Sequence, residues 1–237
     1  MLNLRPKRLD AEDFREQPID VCGKAFIALL SGALYWPSAD ALIVADLHLE
    51  RPSGRARTLP SQRPFEARET LARLAAALDQ TQATTLIALD QGRADGEPLN
   101  DDAARALSLL QEDRDWLWIT GHNETGIATR LGGQQRADLT VDGITLRATP
   151  AKASVTHEIA GGSAPLARHA RLGHTLSRPC FVGNGRRLIL PAFGLEAGGH
   201  NILGDTFAPL FASDGLQAWM LGHDGLYPVA ARLLRED

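Results

Sequence analysis

The stretch Ala41–Glu50, ALIVADLHLE, decides how the rest of the chain is read. Five apolar residues, Ala41 to Ala45, predict a short buried strand. Asp46 and His48 follow, two apart. Strand alternation aims such a pair from one face of the strand's carboxyl end. A carboxylate and an imidazole so placed make half of a metal site. The other half must come from elsewhere in the chain.

Working outward, Ala25–Trp36 predicts an apolar hairpin turning at Ser31-Gly32. Arg51–Arg63 is a loop carrying Arg51, Arg55, Arg57 and Arg63, a candidate phosphate-binding patch through Arg51, Arg55 and Arg57. Pro64–Leu78 has helical spacing, with Leu71, Leu74, Ala75 and Leu78 on one face. Thr84–Leu89 predicts a buried strand that ends at Asp90-Gln91-Gly92. Asp101–Leu110 predicts a second helix. Trp116–Thr120 predicts a third strand, ending at Gly121-His122-Asn123-Glu124.

Helices alternating with apolar strands indicate an α/β protein. Three strand ends therefore carry polar groups in the place where open α/β sheets bind ligands. Beyond about residue 136 the apolar runs shorten: Leu139–Val141, Ile144–Arg147, Pro179–Val182, Arg187–Ala192, Ala218–Leu221 and Val229–Leu234. These predict a second, partly antiparallel sheet.

Composition is that of a globular protein, 44% hydrophobic and 23% charged over 237 residues. A polar segment, 1–20, precedes one domain, 21–237. The net charge of −4 demands neither nucleic acid nor membrane as a partner, although a local basic cluster can still bind phosphate. Arginine outnumbers lysine 22 to three. Cys22 and Cys180 are the only cysteines, too few for a disulfide framework. No apolar run nears the roughly 20 residues of a membrane span, and no signal peptide is visible. The expected location is the cytoplasm.

VADLHLE (Val44–Glu50), WITG (Trp118–Gly121), EIAG (Glu158–Gly161), RPCFV (Arg178–Val182) and LPAFG with the later Gly198-Gly199 resemble motifs of the metallophosphoesterases. Within that superfamily the chain most resembles the bacterial ligase-associated DNA-damage-response endonucleases, from about Ala25 to Tyr227. The resemblance implies a four-layer αββα sandwich of two mixed sheets flanked by helices. It also implies two metals, ordinarily Mn2+, about 3.5–4 Å apart at the strand ends, hydrolysing a phosphodiester. DNA and repair proteins (a ligase, helicase or exonuclease) are the implied partners.

Set against that family pattern, the ligand positions are degenerate. Asp46 and His48 match. The bridging carboxylate falls on Gln91, with Asp90 one residue early. Strand alternation would turn Asp90 to the opposite side from Gln91. The Asn-His pair reads His122-Asn123, which leaves Asn123 in the general-acid position, a loss of about 10²–10⁴-fold in rate. The lone histidine falls on Ala148, and the final two fall on Gly162 and Ala164. Two expectations follow. In one, the chain keeps the scaffold with hydrolysis weak or absent, a pseudoenzyme with a residual binding role. In the other, it is an active phosphodiesterase with a rebuilt one-metal site from Asp46, His48, His122 and Glu124.

Overall fold

A computed structural model of the chain describes residues 15–52, 63–90, 96–122, 126–152, 157–171, 174–194, 198–211 and 215–236. The first part of the chain contributes β1 (Glu16–Val21), β2 (Lys24–Leu29), β3 (Leu34–Trp36), β4 (Ala41–Ala45), β5 (Arg51–Pro52), α1 (Arg63–Thr81), β6 (Thr85–Leu89), β7 (Gly96–Glu97), α2 (Asp101–Gln111), β8 (Asp115–Ile119), α3 (Ile127–Leu131) and β9 (Gln134–Arg136). Seven of these strands form one mixed sheet in the order β1-β2-β3-β4-β6-β8-β9, while β5 and β7 pair separately. β1 to β4 meander antiparallel. β4, β6, β8 and β9 are parallel neighbours.

The second part supplies β10 (Asp138–Val141), β11 (Ile144–Arg147), β12 (Glu158–Ala160), β13 (Pro165–Arg171), β14 (His174–Gly183), β15 (Arg187–Ile189), β16 (His200–Asn201), β17 (Gln217–Leu221) and β18 (Leu226–Ala230). They form a nine-stranded mixed sheet in the order β10-β11-β12-β15-β14-β13-β16, with β17 joined to β14 and β18 to β17.

Period-two alternation builds the sandwich. Ile43 and Phe181 face the inter-sheet core, together with Phe26, Trp36, Ile87 and Leu188. Their neighbours Leu42 and Val44 face outward beneath the helices, where Leu71, Leu74, Ala77 and Leu78 of α1 and Ala103 and Leu107 of α2 cover them. α2 starts at an N-cap, Asn100, whose side-chain oxygen accepts from the Ala103 N–H at 2.9 Å. The outer face of the second sheet is covered differently. There Ile202, Phe207 and Phe211, from a turn-rich segment, pack on Cys180, Val182 and Met220. All three described α-helices are on the first sheet's side.

The expected α/β sandwich of two mixed sheets stands, and β4 has the bounds its apolar run predicted. Several elements differ from expectation. The first sheet begins at Glu16, inside the polar segment, because Ile19 and Val21 are buried on one face of an otherwise exposed strand. The α1 stripe uses Ala77 in place of Ala75. β13, PLARHAR, gave no apolar run to find. The last strand lies at Leu226–Ala230, and a 3-10 turn occupies Ala231–Leu233. No described helix is long and apolar enough to cross a membrane.

Candidate active site

The strand ends of β4, β6 and the β12–β13 turn converge. β4 stops at Ala45, and Asp46 and His48 both take left-handed backbone, φ 50° each. Strand alternation therefore no longer governs their side chains, contrary to expectation. Asp46 is buried while His48 is exposed. Non-glycine residues in this region carry strain of order 1–3 kcal/mol, and such strain clusters at functional sites.

Asp46 is tied down from three directions. Its N–H donates to the Leu89 carbonyl at 3.1 Å, and its carbonyl accepts from the Gly194 N–H at 2.9 Å. Its Oδ2 accepts from the Gly162 N–H at 2.9 Å. Two glycines make this approach possible. A Cβ on Gly161 would sit 2.7 Å from the Ala45 Cβ and 2.9 Å from the Leu89 carbonyl oxygen. A Cβ on Gly194 would sit 2.7 Å and 2.9 Å from the Leu47 and Asp46 carbonyl oxygens.

Asp90 is also in this cleft. It is buried, and its Oδ2 accepts from the His48 N–H at 3.2 Å. Asp90 reaches the cleft, contrary to expectation, because β6 ends at Leu89, and beyond the ladder the pleat no longer fixes direction. Burial raises the Asp46 carboxyl to about 6; the Asp90 charge adds to the rise, and His48 and the Gly162 N–H oppose it. Two carboxylates thus face each other in a site partly shut off from water.

His122 is exposed after β8. Ala148 is fully buried after β11. Ala164 has φ 40° and offers only its carbonyl, which accepts from the His200 N–H at 3.1 Å. Arg51 joins the short β5–β7 ladder through its backbone. Gln91, Asn123, Glu124, Arg55 and Arg57 lie outside the described residues.

Among the described residues, no group of three or more His, Cys, Asp or Glu side chains is gathered as a metal would need. Asp46 already takes an amide hydrogen bond on one oxygen. Among the described residues these donors fall short of a two-metal set.

Comparison with known structures bears on the scaffold. The crystal structure of Pseudomonas putida nuclease MPE is similar to this chain, with a TM-score of 0.68 and 23% identity, over 90% of this chain and 100% of that one. No family model and no curated protein matches. At this identity the likeness establishes the nuclease-like sandwich fold.

Two ion-pair systems have no counterpart among the residues the sequence singled out. Glu50, at the end of the opening stretch, is buried and paired with Arg130 of α3, with Nη2 to Oε2 at 2.8 Å and Nε to Oε1 in contact. They sit at the edge of a cavity of about 390 Å3 with Leu99, Leu107 and Gln111. In the second sheet, Glu158 is fully buried between Arg187, whose Nε is 2.6 Å away, and Arg147, 2.9 Å away. Arg187 also donates to the Leu210 and Ala151 carbonyls at 2.7 and 2.9 Å. The only signal available in the sequence was a charged residue inside an apolar strand, as in EIA and RLI.

Proposed function

We propose that this chain is a metallophosphoesterase-like nuclease scaffold in which metal-dependent phosphodiester hydrolysis is weak or absent, and whose remaining role is to bind nucleic acid at the old cleft. Three observations support the reading: the similarity of fold to a nuclease, the position of Asp46, His48 and Asp90 at the strand ends, and the side chains found at Gln91, Ala148, Gly162 and Ala164. The observation that carries it is the Gly162 N–H on Asp46 Oδ2. A backbone donor meets the carboxylate from the segment that, by resemblance, would supply the last imidazoles.

In this reading Asp46 is a structural acceptor that ties the first sheet to the second. Mn2+, the cofactor implied by resemblance, has too few described ligands to be held at two sites. The arginines at 51, 55 and 57 would supply phosphate contacts, which release counterions and weaken with salt. DNA is the proposed partner. A repair ligase, helicase or exonuclease would be met on the same DNA in the cytoplasm.

Asp90 favours a second reading. Its carboxylate accepts from the His48 N–H and acts electrostatically on Asp46. A rebuilt one-metal site would then draw on Asp46, His48, Asp90, His122 and Glu124.

One experiment separates the two. The chain is stripped with chelator, reloaded with Mn2+, and assayed by elemental analysis, melting temperature and hydrolysis of an aryl phosphodiester. A metal held at 100 times its dissociation constant adds about 2.7 kcal/mol to stability. The first reading expects no bound metal, no rise in melting temperature, and equal background rates for wild type and Asp46→Ala. Stoichiometric Mn2+ with a rate abolished by Asp46→Ala would replace it with the second.

A further inference from the structure

A second surface stands apart from the cleft. On the outer face of the nine-stranded sheet, a groove of about 420 Å3 runs between β13, β14 and the β17–β18 hairpin, and its lining is almost wholly apolar. Leu176, Met220, Tyr227 and Val229 form its walls, with His169, Arg178 and His223 also lining it. The strand register places these residues together: His169 pairs with Leu176, and Met220 with Tyr227. Leu176 is 47% exposed and Tyr227 41%. Leu233, also 47% exposed, adjoins them, since its carbonyl accepts from His169 Nδ1 at 3.0 Å. Only one other large hydrophobic among the described residues, Leu109, is as exposed. Exposed apolar residues gathered in one place mark an interaction site more often than scattered ones do.

The groove is pre-formed. The Tyr227 hydroxyl donates to Asp224 Oδ1 at 2.6 Å. Its ring lies where Gly222 has no side chain, and a Cβ there would run into it. A fixed aromatic beside an apolar recess is the usual form of an interface hot spot.

Charge selects the occupant. The lining holds one guanidinium and two imidazoles, and no acid. Asp224, next along the hairpin, is committed to Tyr227. Arg178 forms no ion pair among the described residues and donates only to the Ser177 carbonyl, at 3.5 Å. The one fixed charge in the lining is thus the Arg178 guanidinium, on a chain whose net charge is −4 with histidine neutral. Nucleic acid fits poorly, because its contacts are mostly to phosphate and the recess offers almost no polar surface. An added strand, from a partner or a second copy, fits poorly too, since Pro228 in the edge strand β18 lacks a donor.

We propose that this groove docks a protein partner through a bulky apolar side chain flanked by acidic residues. The proposal does not depend on the reading of the cleft.

The test is selection of short peptides from a random phage-displayed library on the intact chain. The best peptides are then titrated by fluorescence anisotropy against wild type, Leu176→Asp, Tyr227→Ala and Arg178→Glu. The expected motif is Trp, Phe or Leu with Asp or Glu on either side. Affinity should fall at least tenfold in Leu176→Asp and Tyr227→Ala. A repeat selection on Arg178→Glu should exchange the acidic flanks for Lys and Arg. Leu176 and Arg178 are exposed, so these two variants keep the fold whatever Tyr227→Ala does to the hairpin. The proposal is overturned if peptides enrich equally on Leu176→Asp, or if flanking charge is indifferent. It is also overturned if the chain dimerises in sedimentation and Leu176→Asp makes it monomeric, or if the three variants lose single-stranded DNA binding instead.

Discussion

The Gly162 N–H points at Asp46 Oδ2 across 2.9 Å, joining two residues 116 positions apart in sequence. This one bond links the end of β4 in the first sheet to the β12–β13 turn of the second. It also gives a buried carboxylate a neutral donor where a cation would neutralise it. The Asp90 charge then acts on Asp46 from close by. The cleft is consequently a place where negative charge is costly, and that cost can be measured.

The first prediction concerns pH. In the folded chain the Asp46 carboxyl lies at about 6, against an ordinary 3.8, so the folded state binds this proton more tightly than the unfolded state does. The resulting stability is complete below about pH 4 and is lost as pH rises through about 6. A difference of this size is on the order of 3 kcal/mol. Asp46→Asn carries no charge and keeps an oxygen for the Gly162 N–H. In chelator it should melt higher than wild type at pH 8 and match it near pH 4. Melting curves across that range give the answer, and parallel profiles for the two proteins would refute the account.

Ala164 tests backbone strain. Its φ of 40° is a conformation that costs an alanine energy and a glycine little. Ala164→Gly should be neutral or stabilising by up to about 1 kcal/mol, after the extra freedom of glycine in the unfolded chain is subtracted. Urea denaturation is the measurement. A loss of more than about 1 kcal/mol, the ordinary cost of a glycine, would show that the strain is absent.

The buried Glu158 gives the largest expected loss. Arg187→Met removes one of its two guanidinium partners and strands the Leu210 and Ala151 carbonyls. Breaking a buried pair in this way costs about 3–5 kcal/mol. A change below about 1 kcal/mol in denaturant unfolding, the worth of an exposed surface pair, would mean that water reaches the carboxylate.

The two thiols should behave differently. Cys180 is fully buried, and burial pushes its thiol well above the usual range. Cys22 is half-buried, with its Sγ against the Arg186 carbonyl. An aromatic disulfide reagent at pH 8 should therefore titrate one thiol in the native chain and two in denaturant. Two rapid equivalents without denaturant would contradict the packing around Val182 and Phe207.

Much of this architecture was legible in residue order. Apolar runs bounded β4, β6 and β8, because parallel strands covered on both faces carry an uninterrupted signal. β13 escaped because Arg168, His169 and Arg171 break up any such run. The candidate site was legible as a list of residues but not as an arrangement. Asp46 and His48 left the strand conformation that was used to orient them. Asp90 turned inward just past the last ladder residue. The Gly162 N–H could not be anticipated at all, because a backbone donor has no letter of its own in a sequence.

The paired glycines carry a different consequence. At Gly161 and Gly194 any side chain meets a carbonyl oxygen of another strand end within 3 Å. Side chains at neighbouring positions can therefore be exchanged without disturbing the chain's path, while the path itself is closed to change. Over long divergence such a protein would forget its chemistry before it forgot its shape. Three-dimensional likeness would then persist after sequence-based recognition had failed.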